Sequence, residues 1–270
     1  MTPAACGRSL HLISLRCEDR GMSILAGTPS DDAAAIVATG HADVTTLFVS
    51  MSARHPEGRD ADYLAWHSLD HRPEQHRLPA LRASFRLVST PACRSARAAR
   101  HDRYDATDHL MTYLFKDLDG LRGFSELSTA LAQAGRVPYL LPVVERSVYR
   151  LTGKLAAPRI KAGADVLPWW PAKGVYVLIE RGEESPAALI DTPGVGGIWW
   201  GGSLPTGPRY ATAPNDGLQI SYCFLDDNPA DTAVRLRPVL EARWARDNVE
   251  PLFAAPFHTL VPHEWERFVP

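Results

Sequence analysis

Hydrophobic and polar positions along the chain repeat one order of elements twice. Residues 44–52 (VTTLFVSMS) are mostly apolar and rich in β-branched side chains, which predicts a buried strand. Residues 60–71 carry Tyr63, Trp66, His67 and Asp70 at helical spacing. Asp60 or Asp62 stands near the start of that helix, where a carboxylate suits the helix dipole. Pro73 is expected to end the helix, because proline removes a donor and biases the residue before it away from helical backbone. Residues 81–90 (LRASFRLVST) alternate, with Ala83, Phe85 and Leu87 on one face, and predict the next strand. After an arginine-rich loop at 91–107, residues 109–115 predict a third strand. Residues 121–134 predict an amphipathic helix closed by Gly135, and 139–149 a fourth strand. This β-α-β-β-α-β order is that of the split ferredoxin-like unit.

The second pass runs through strands at 174–180 (GVYVLIE), 197–201 (GIWWG) and 218–225 (LQISYCFL). A helix follows from about 229 to 246, with Val234, Leu240 and Trp244 among its apolar positions, and then a closing strand at 252–261. The turn Thr192-Pro193-Gly194-Val195 enters its strand as Leu78-Pro79-Ala80-Leu81 enters the earlier one. Few residues remain between 180 and 192, where the first pass has its Trp/His helix, so that helix is expected to be shortened or lost. Repetition at this period is a fold-level signal. Amphipathic strands need one face covered, and two four-stranded sheets from one chain can cover each other. The expectation is an α+β fold in which two tandem ferredoxin-like units form one intramolecular barrel. Its parts would be an N-terminal extension (1–43), a first unit (44–152), a Gly/Pro-rich linker (153–173) and a second unit (174–270).

Composition narrows the function classes. The 270 residues are 45% hydrophobic and 22% charged, as in an ordinary soluble globular protein. A net charge of -2 gives no footprint for nucleic acid or an anionic membrane, so neither is expected as a partner. Positive charge is nearly all arginine, with only four lysines, a pattern of GC-rich coding rather than of recognition. The four cysteines, Cys6, Cys17, Cys93 and Cys223, lack CxxC spacing, which argues against a disulfide framework or a cysteine zinc site. No apolar run approaches the roughly 18 residues of a membrane span. The short stretch 10–15 does not make a secretory signal, and Met22 could serve as an alternative start, leaving 1–21 dispensable. A cytoplasmic protein is expected.

The residues W-H-x-x-D-H-R-P-E (66–74), followed by L-P-A-L-x-A-x-F-R (78–86), resemble the dimeric α+β-barrel superfamily, in particular its EthD-like and related uncharacterised branches. Those branches share a helix of the form W-x4-H-x-P-[ED], a P-G turn and a strand ending in an aromatic or arginine. Trp66, His71, Pro73 and Glu74 match the helix, Pro79 and Leu81 the turn, and Phe85-Arg86 the strand. Ala80 departs from the usual glycine, which Gly194 keeps. The likeness covers about residues 44–135 closely and 174–265 more weakly. The superfamily spans cofactor-free oxygenases, isomerases, cyclases and haem enzymes, so the resemblance implies a fold and not one chemistry.

His67 and His71 are four apart on one helix, the spacing at which two imidazoles converge. Histidine titrates near neutrality, so His71, with His67, is the candidate acid/base, and Asp70 or Glu74 the group that orients it. The competing reading makes His71 a helix C-cap with His67 half-exposed. A metal would need a third ligand from Asp70 or His76, and none is expected. Tyr63, Trp66, Phe85 and Arg86 are the candidate substrate-binding residues, unless Trp66 is ordinary core. The arginines at 94–103 read as a solvated loop, and the glycines at 194–202 lack the lysine of a phosphate loop.

Three functions compete. The first is a cofactor-independent enzyme acting on a small hydrophobic or aromatic substrate by proton transfer or oxygenation, at one site in the first unit. The second is a non-catalytic ligand-binding or scaffold protein with a degenerate second unit. The third is a haem protein, for which the second unit offers only His258 and His263 near its closing strand. No cofactor is expected for the first. The chain would act as a monomeric internal pseudo-dimer or as a homodimer.

Overall fold

A computed structural model describes residues 43–270 except 183, 208 and 247. The expected extension, the Met22 start, Cys6 and Cys17 therefore lie, Asp43 apart, outside the described residues. Eight strands, β1 (Thr46–Ser52), β2 (Leu81–Val88), β3 (His109–Phe115), β4 (Val143–Ala156), β5 (Gly174–Arg181), β6 (Val195–Ser203), β7 (Leu218–Leu225) and β8 (Glu250–Thr259), close into a barrel. Their order around it is β1-β3-β2-β8-β5-β7-β6-β4, and every pair is antiparallel. Read by halves, β4-β1-β3-β2 and β8-β5-β7-β6 have the same order.

Alternation along the strands sorts side chains into two sets. Leu47, Val49, Leu110, Val177, Phe253 and Phe257 fill the barrel interior, where Tyr222 Oη and Thr112 Oγ1 share a hydrogen bond of 2.9 Å. The outward residues of the first half, Phe48, Met111 and Tyr113, pack against a helix, and so do Tyr176, Leu178 and Cys223 of the second. The halves meet at two unequal seams. β4 pairs with β6 over a long register, whereas β2 pairs with β8 only through Leu87–Thr259 and Val88–His258. Beside that short seam Ala98 donates to Ala254 O at 2.9 Å and Ala254 to Ala99 O at 3.2 Å.

The helices are α1 (Asp60–Trp66, continued by a π-helical turn at His67–His71 and a last turn at Arg72–Gln75), α2 (Pro91–Ser95), α3 (Gly120–Gln133) and α4 (Pro229–Trp244). Pro73 does not end α1. An ordinary α turn would set its ring against the carbonyl four residues back. The helix widens just before it instead, with the Arg72 amide donating to His67 O, and runs on to Gln75. His71 therefore lies inside the helix and caps nothing. α2 forms where an arginine-rich loop was expected, because Thr90 Oγ1 accepts the Cys93 amide at 3.2 Å and Pro91 starts the helix. α3 closes as expected: Gly135 takes φ of 70°, and Arg136 donates to Leu131 O at 3.0 Å. On α4 the buried stripe is Ala233, Leu236 and Leu240, and Val234 is exposed, a quarter-turn off that stripe.

The fourth strand starts at Val143, later than expected, because the preceding segment turns Leu141 and Tyr139 against α1. It then runs through the start of the expected linker to Ala156, paired with β6. Among the described residues of 181–191 there is no α-helix, only a 3-10 turn at Ala187–Asp191. At the two related turns, Val195 donates to Thr192 O (3.0 Å) and Leu81 to Leu78 O (3.1 Å). Gly194 has φ of 96° where Ala80 keeps a negative φ, so the alanine is accommodated by a different turn. Among the described residues no helix is long and apolar enough to cross a membrane.

Candidate functional site

A cavity of about 630 Å³ lies outside the barrel, between the first-half sheet and its covering elements. Its floor is the outward face of β1, β3 and β2, through Phe48, Ser50, Met111, Tyr113 and Arg86. α1 supplies Tyr63, Trp66, His67, His71 and Gln75, and α3 supplies Phe124, Ser125 and Thr129. The segment 137–143 and the β6–β7 connection complete the wall. That connection is an arm from the second half. Tyr210 Oη donates to Leu121 O at 2.9 Å, and Arg209 donates to Ser125 O (2.8 Å) and Thr129 Oγ1 (2.7 Å).

The wide turn of α1 sets the imidazoles side by side with ring centres 5.6 Å apart. His67 is fully buried, and its Nε2 lies 3.3 Å from Tyr113 Oη. Burial, with Arg86 and His71 nearby, holds His67 well below the ordinary histidine range. Burial pushes Tyr113 up to about 12, so its hydroxyl keeps its proton and can donate to that imidazole. His71 sits 5.0 Å from the Trp66 ring, has no hydrogen-bond partner among the described residues, and keeps its Nδ1 buried. Burial lowers its pKa as well, against a partial pull from Asp70. Both shifts favour the neutral form of the imidazole, the form that can accept a proton.

Asp70 does not reach an imidazole. Its carboxylate is held by Arg136, which also takes Glu74 at 3.1 Å, and the Arg136 hydrogen bond lowers the Asp70 pKa. Neither orients His71. Phe85 is likewise absent from the cavity. Its ring is inside the barrel, edge-on to Tyr222 at 5.5 Å and Phe224 at 6.1 Å. Arg86, the next residue, faces the cavity and donates to Tyr63 Oη at 2.7 Å. His76 turns to Ser84 Oγ at 2.7 Å, and among the described residues no three His, Cys, Asp or Glu side chains group as metal ligands. Asp60 is buried and accepts from His109 Nε2 (2.7 Å) and the His55 amide (2.8 Å).

Sequence reasoning missed Tyr113, Gln75, Phe124 and the arm residues Arg209 and Tyr210. Alternation along residues 109–115 could have placed Met111 and Tyr113 on one face. Nothing local marks the arm, whose role depends on barrel closure. In the second half the matching side of the sheet is filled. The outward residues of β5 are Tyr176, Leu178 and Glu180, and Glu180 accepts from Arg243 Nε (3.0 Å), Arg243 Nη2 (3.1 Å) and Trp244 Nε1 (2.7 Å).

No family model matches the sequence, and no curated protein does either. Among solved structures the chain is similar to an anthrone oxidase-like protein at 11% identity and a TM-score of 0.45, covering 81% of this chain and 92% of that one. It is also similar to a dye-decolorizing peroxidase from Bacteroides thetaiotaomicron (9% identity, TM-score 0.43, covering 80% and 92%). A third is a Lactobacillus acidophilus protein provisionally named a monooxygenase (10%, TM-score 0.41, covering 80% and 94%). Likeness at this level leaves the chemistry to be argued from the site.

Proposed function

We propose that the chain is a cofactor-independent enzyme acting on a small hydrophobic or aromatic substrate at a single site in its first half. His71 is the base. The observation that carries this reading is an imidazole with no hydrogen-bond partner among the described residues, facing a mainly apolar cavity that could bury such a substrate. Proton transfer is the step the residues support: His71 takes a proton from an acidic C–H or O–H, with His67 and Tyr113 as a second, buried pair beside it. Oxygenation would follow where the resulting carbanion or phenolate reacts with dioxygen. A ligand-binding protein without catalysis would use the same cavity.

The repeated strand order supports reading the halves as tandem ferredoxin-like units, 44–152 and 174–270, joined by 153–173 and preceded by an extension at 1–43. The motif at 66–86 supports the EthD-like branch. The filled side of the second half supports a single site. A cytoplasmic location and action as a monomer or homodimer belong to the same proposal. The haem alternative is not supported by its candidate residues: His258 stacks on Phe268 at 3.9 Å, His263 packs on Trp265, and neither lines the cavity.

The test is hydrogen–deuterium exchange in D2O across a panel of enolisable aromatic ketones and phenols, followed by NMR, with oxygen uptake measured in parallel. Exchange above the buffer rate should fall about 10²- to 10⁴-fold in His71→Ala. The variant's melting temperature should stay within a few degrees, because His71 has no hydrogen-bond partner among the described residues. Exchange that survives the substitution would refute His71 as the base.

A further inference from the structure

Among the described residues three arginines are buried: Arg86, Arg97 and Arg243. Arg97 lies against Asp105 and Asp108 and donates to backbone carbonyls. Arg243 holds the Glu180 carboxylate. Arg86, at 5% exposure, has no carboxylate partner among the described residues. Its Nη2 donates to Tyr63 Oη, its guanidinium lies 5.0 Å from the Tyr63 ring centre, and its Nε is buried with no partner among the described residues. A guanidinium stays charged in any protein setting, and burying it unpaired is costly. The cavity it faces has no aspartate or glutamate in its wall, whereas Arg146 and Arg209 stand elsewhere on that wall. The carboxylate of Asp60 is taken by His109 and the His55 amide.

We infer that the cavity takes an aromatic carboxylate, its ring among Trp66, Tyr113 and Phe124 and its ionised oxygens on the Arg86 fork. This rests on reading the cavity as a ligand site and goes beyond it by fixing the ligand's charge. A carboxylate matches the planar donor fork of arginine and is ionised at neutral pH. Arg146 and Arg209 add positive field that favours entry of an anion. Tyr63, by occupying one side of the guanidinium, fixes which edge of the fork meets the ligand.

The test is isothermal titration calorimetry with 2-naphthoate and its neutral isostere 2-naphthamide, repeated on Arg86→Gln and Arg86→Lys. Wild type should bind the carboxylate at least about tenfold more tightly than the amide. Arg86→Gln should remove that preference, weakening 2-naphthoate about 10- to 100-fold and leaving 2-naphthamide within about threefold. Arg86→Lys should fall between them, keeping charge without the fork. Should Arg86→Gln fail to fold, the wild-type pair of ligands still decides. Equal binding of the two ligands would overturn the inference while leaving the cavity a ligand site. Binding of neither would overturn both readings. A carboxylate preference that persists in a folded Arg86→Gln would move the anion to another arginine and also overturn the assignment.

Discussion

Replacing Glu180 with glutamine should be among the most destabilising single changes in the chain, while leaving the first-half site intact. The carboxylate is 1% exposed and accepts three donors from Arg243 and Trp244. Arg243 is itself buried and also donates to Ser185 O (2.9 Å) and Glu184 O (2.6 Å). Glutamine keeps the shape but removes the charge nearest the desolvated guanidinium, leaving the Glu184 carboxylate, which Arg246 shares, at 3.9 Å. Breaking one partner of a buried ion pair costs about 3–5 kcal/mol. For a chain of this size each kcal/mol lowers the melting temperature by about 2–4 °C, so the expected fall is about 6–20 °C. Thermal denaturation by circular dichroism measures it. The double replacement Glu180→Leu with Arg243→Met should recover part of the loss, because it removes both buried charges while Trp244 Nε1 and the carbonyls of Ser185 and Glu184 lose their partners. Binding of an aromatic probe to the first-half cavity should persist below the lowered melting temperature. A fall of less than about 2 °C for Glu180→Gln would refute the view that this pair, rather than a ligand, fills the second half.

Three further outcomes follow from named contacts. His67 and His109 are held neutral by burial, so below about pH 6.5 the unfolded chain takes up protons that the fold excludes. Stability should therefore be full above that pH and fall as the solution is acidified, by up to about 1.4 kcal/mol per pH unit for each histidine. His67→Asn should flatten that slope in denaturant titrations at pH 7 and 5, and an unchanged slope would count against His67 as its source. Gly153→Ala should cost about 1–3 kcal/mol, because a Cβ there would stand 1.9 Å from the Trp200 ring, and a melting curve like wild type would show the ring moves freely. Tyr210→Ala removes the arm's bond to Leu121 and its edge contact with Phe48. Calorimetry should then show weaker probe binding with only a small change in melting temperature, and unchanged affinity would remove the arm from the site.

Much of the fold could be read from residue order, because its strands are short alternating runs bounded by turn residues. β7 falls where its pattern places it, and Gly135 and Gly194 adopt the positive φ their turns need. What escaped had non-local causes. Pro73 stops a regular helix but not one that widens beforehand, and composition does not distinguish the two. Phe85 and Arg86 were both read as substrate-binding, although neighbours on a strand face opposite ways. Alternation with Ala83 and Leu87 already assigned Phe85 to the barrel and Arg86 to the outer face. Asp70 resembled an orienting carboxylate by spacing, but Arg136, 66 positions away, takes it. Arg209 and Tyr210 reach the cavity only because the two halves close on each other.

The most direct test of the account is a histidine side-chain NMR titration, recording long-range ¹H–¹⁵N correlations as 2-naphthoate is added at pH 7. Saturable movement of the His67 and His71 ring signals, with His258 and His101 unmoved, is the predicted result. Probe binding that leaves His67 and His71 unmoved, or that shifts His258 instead, would contradict a single site built on the wide turn of the first-half helix.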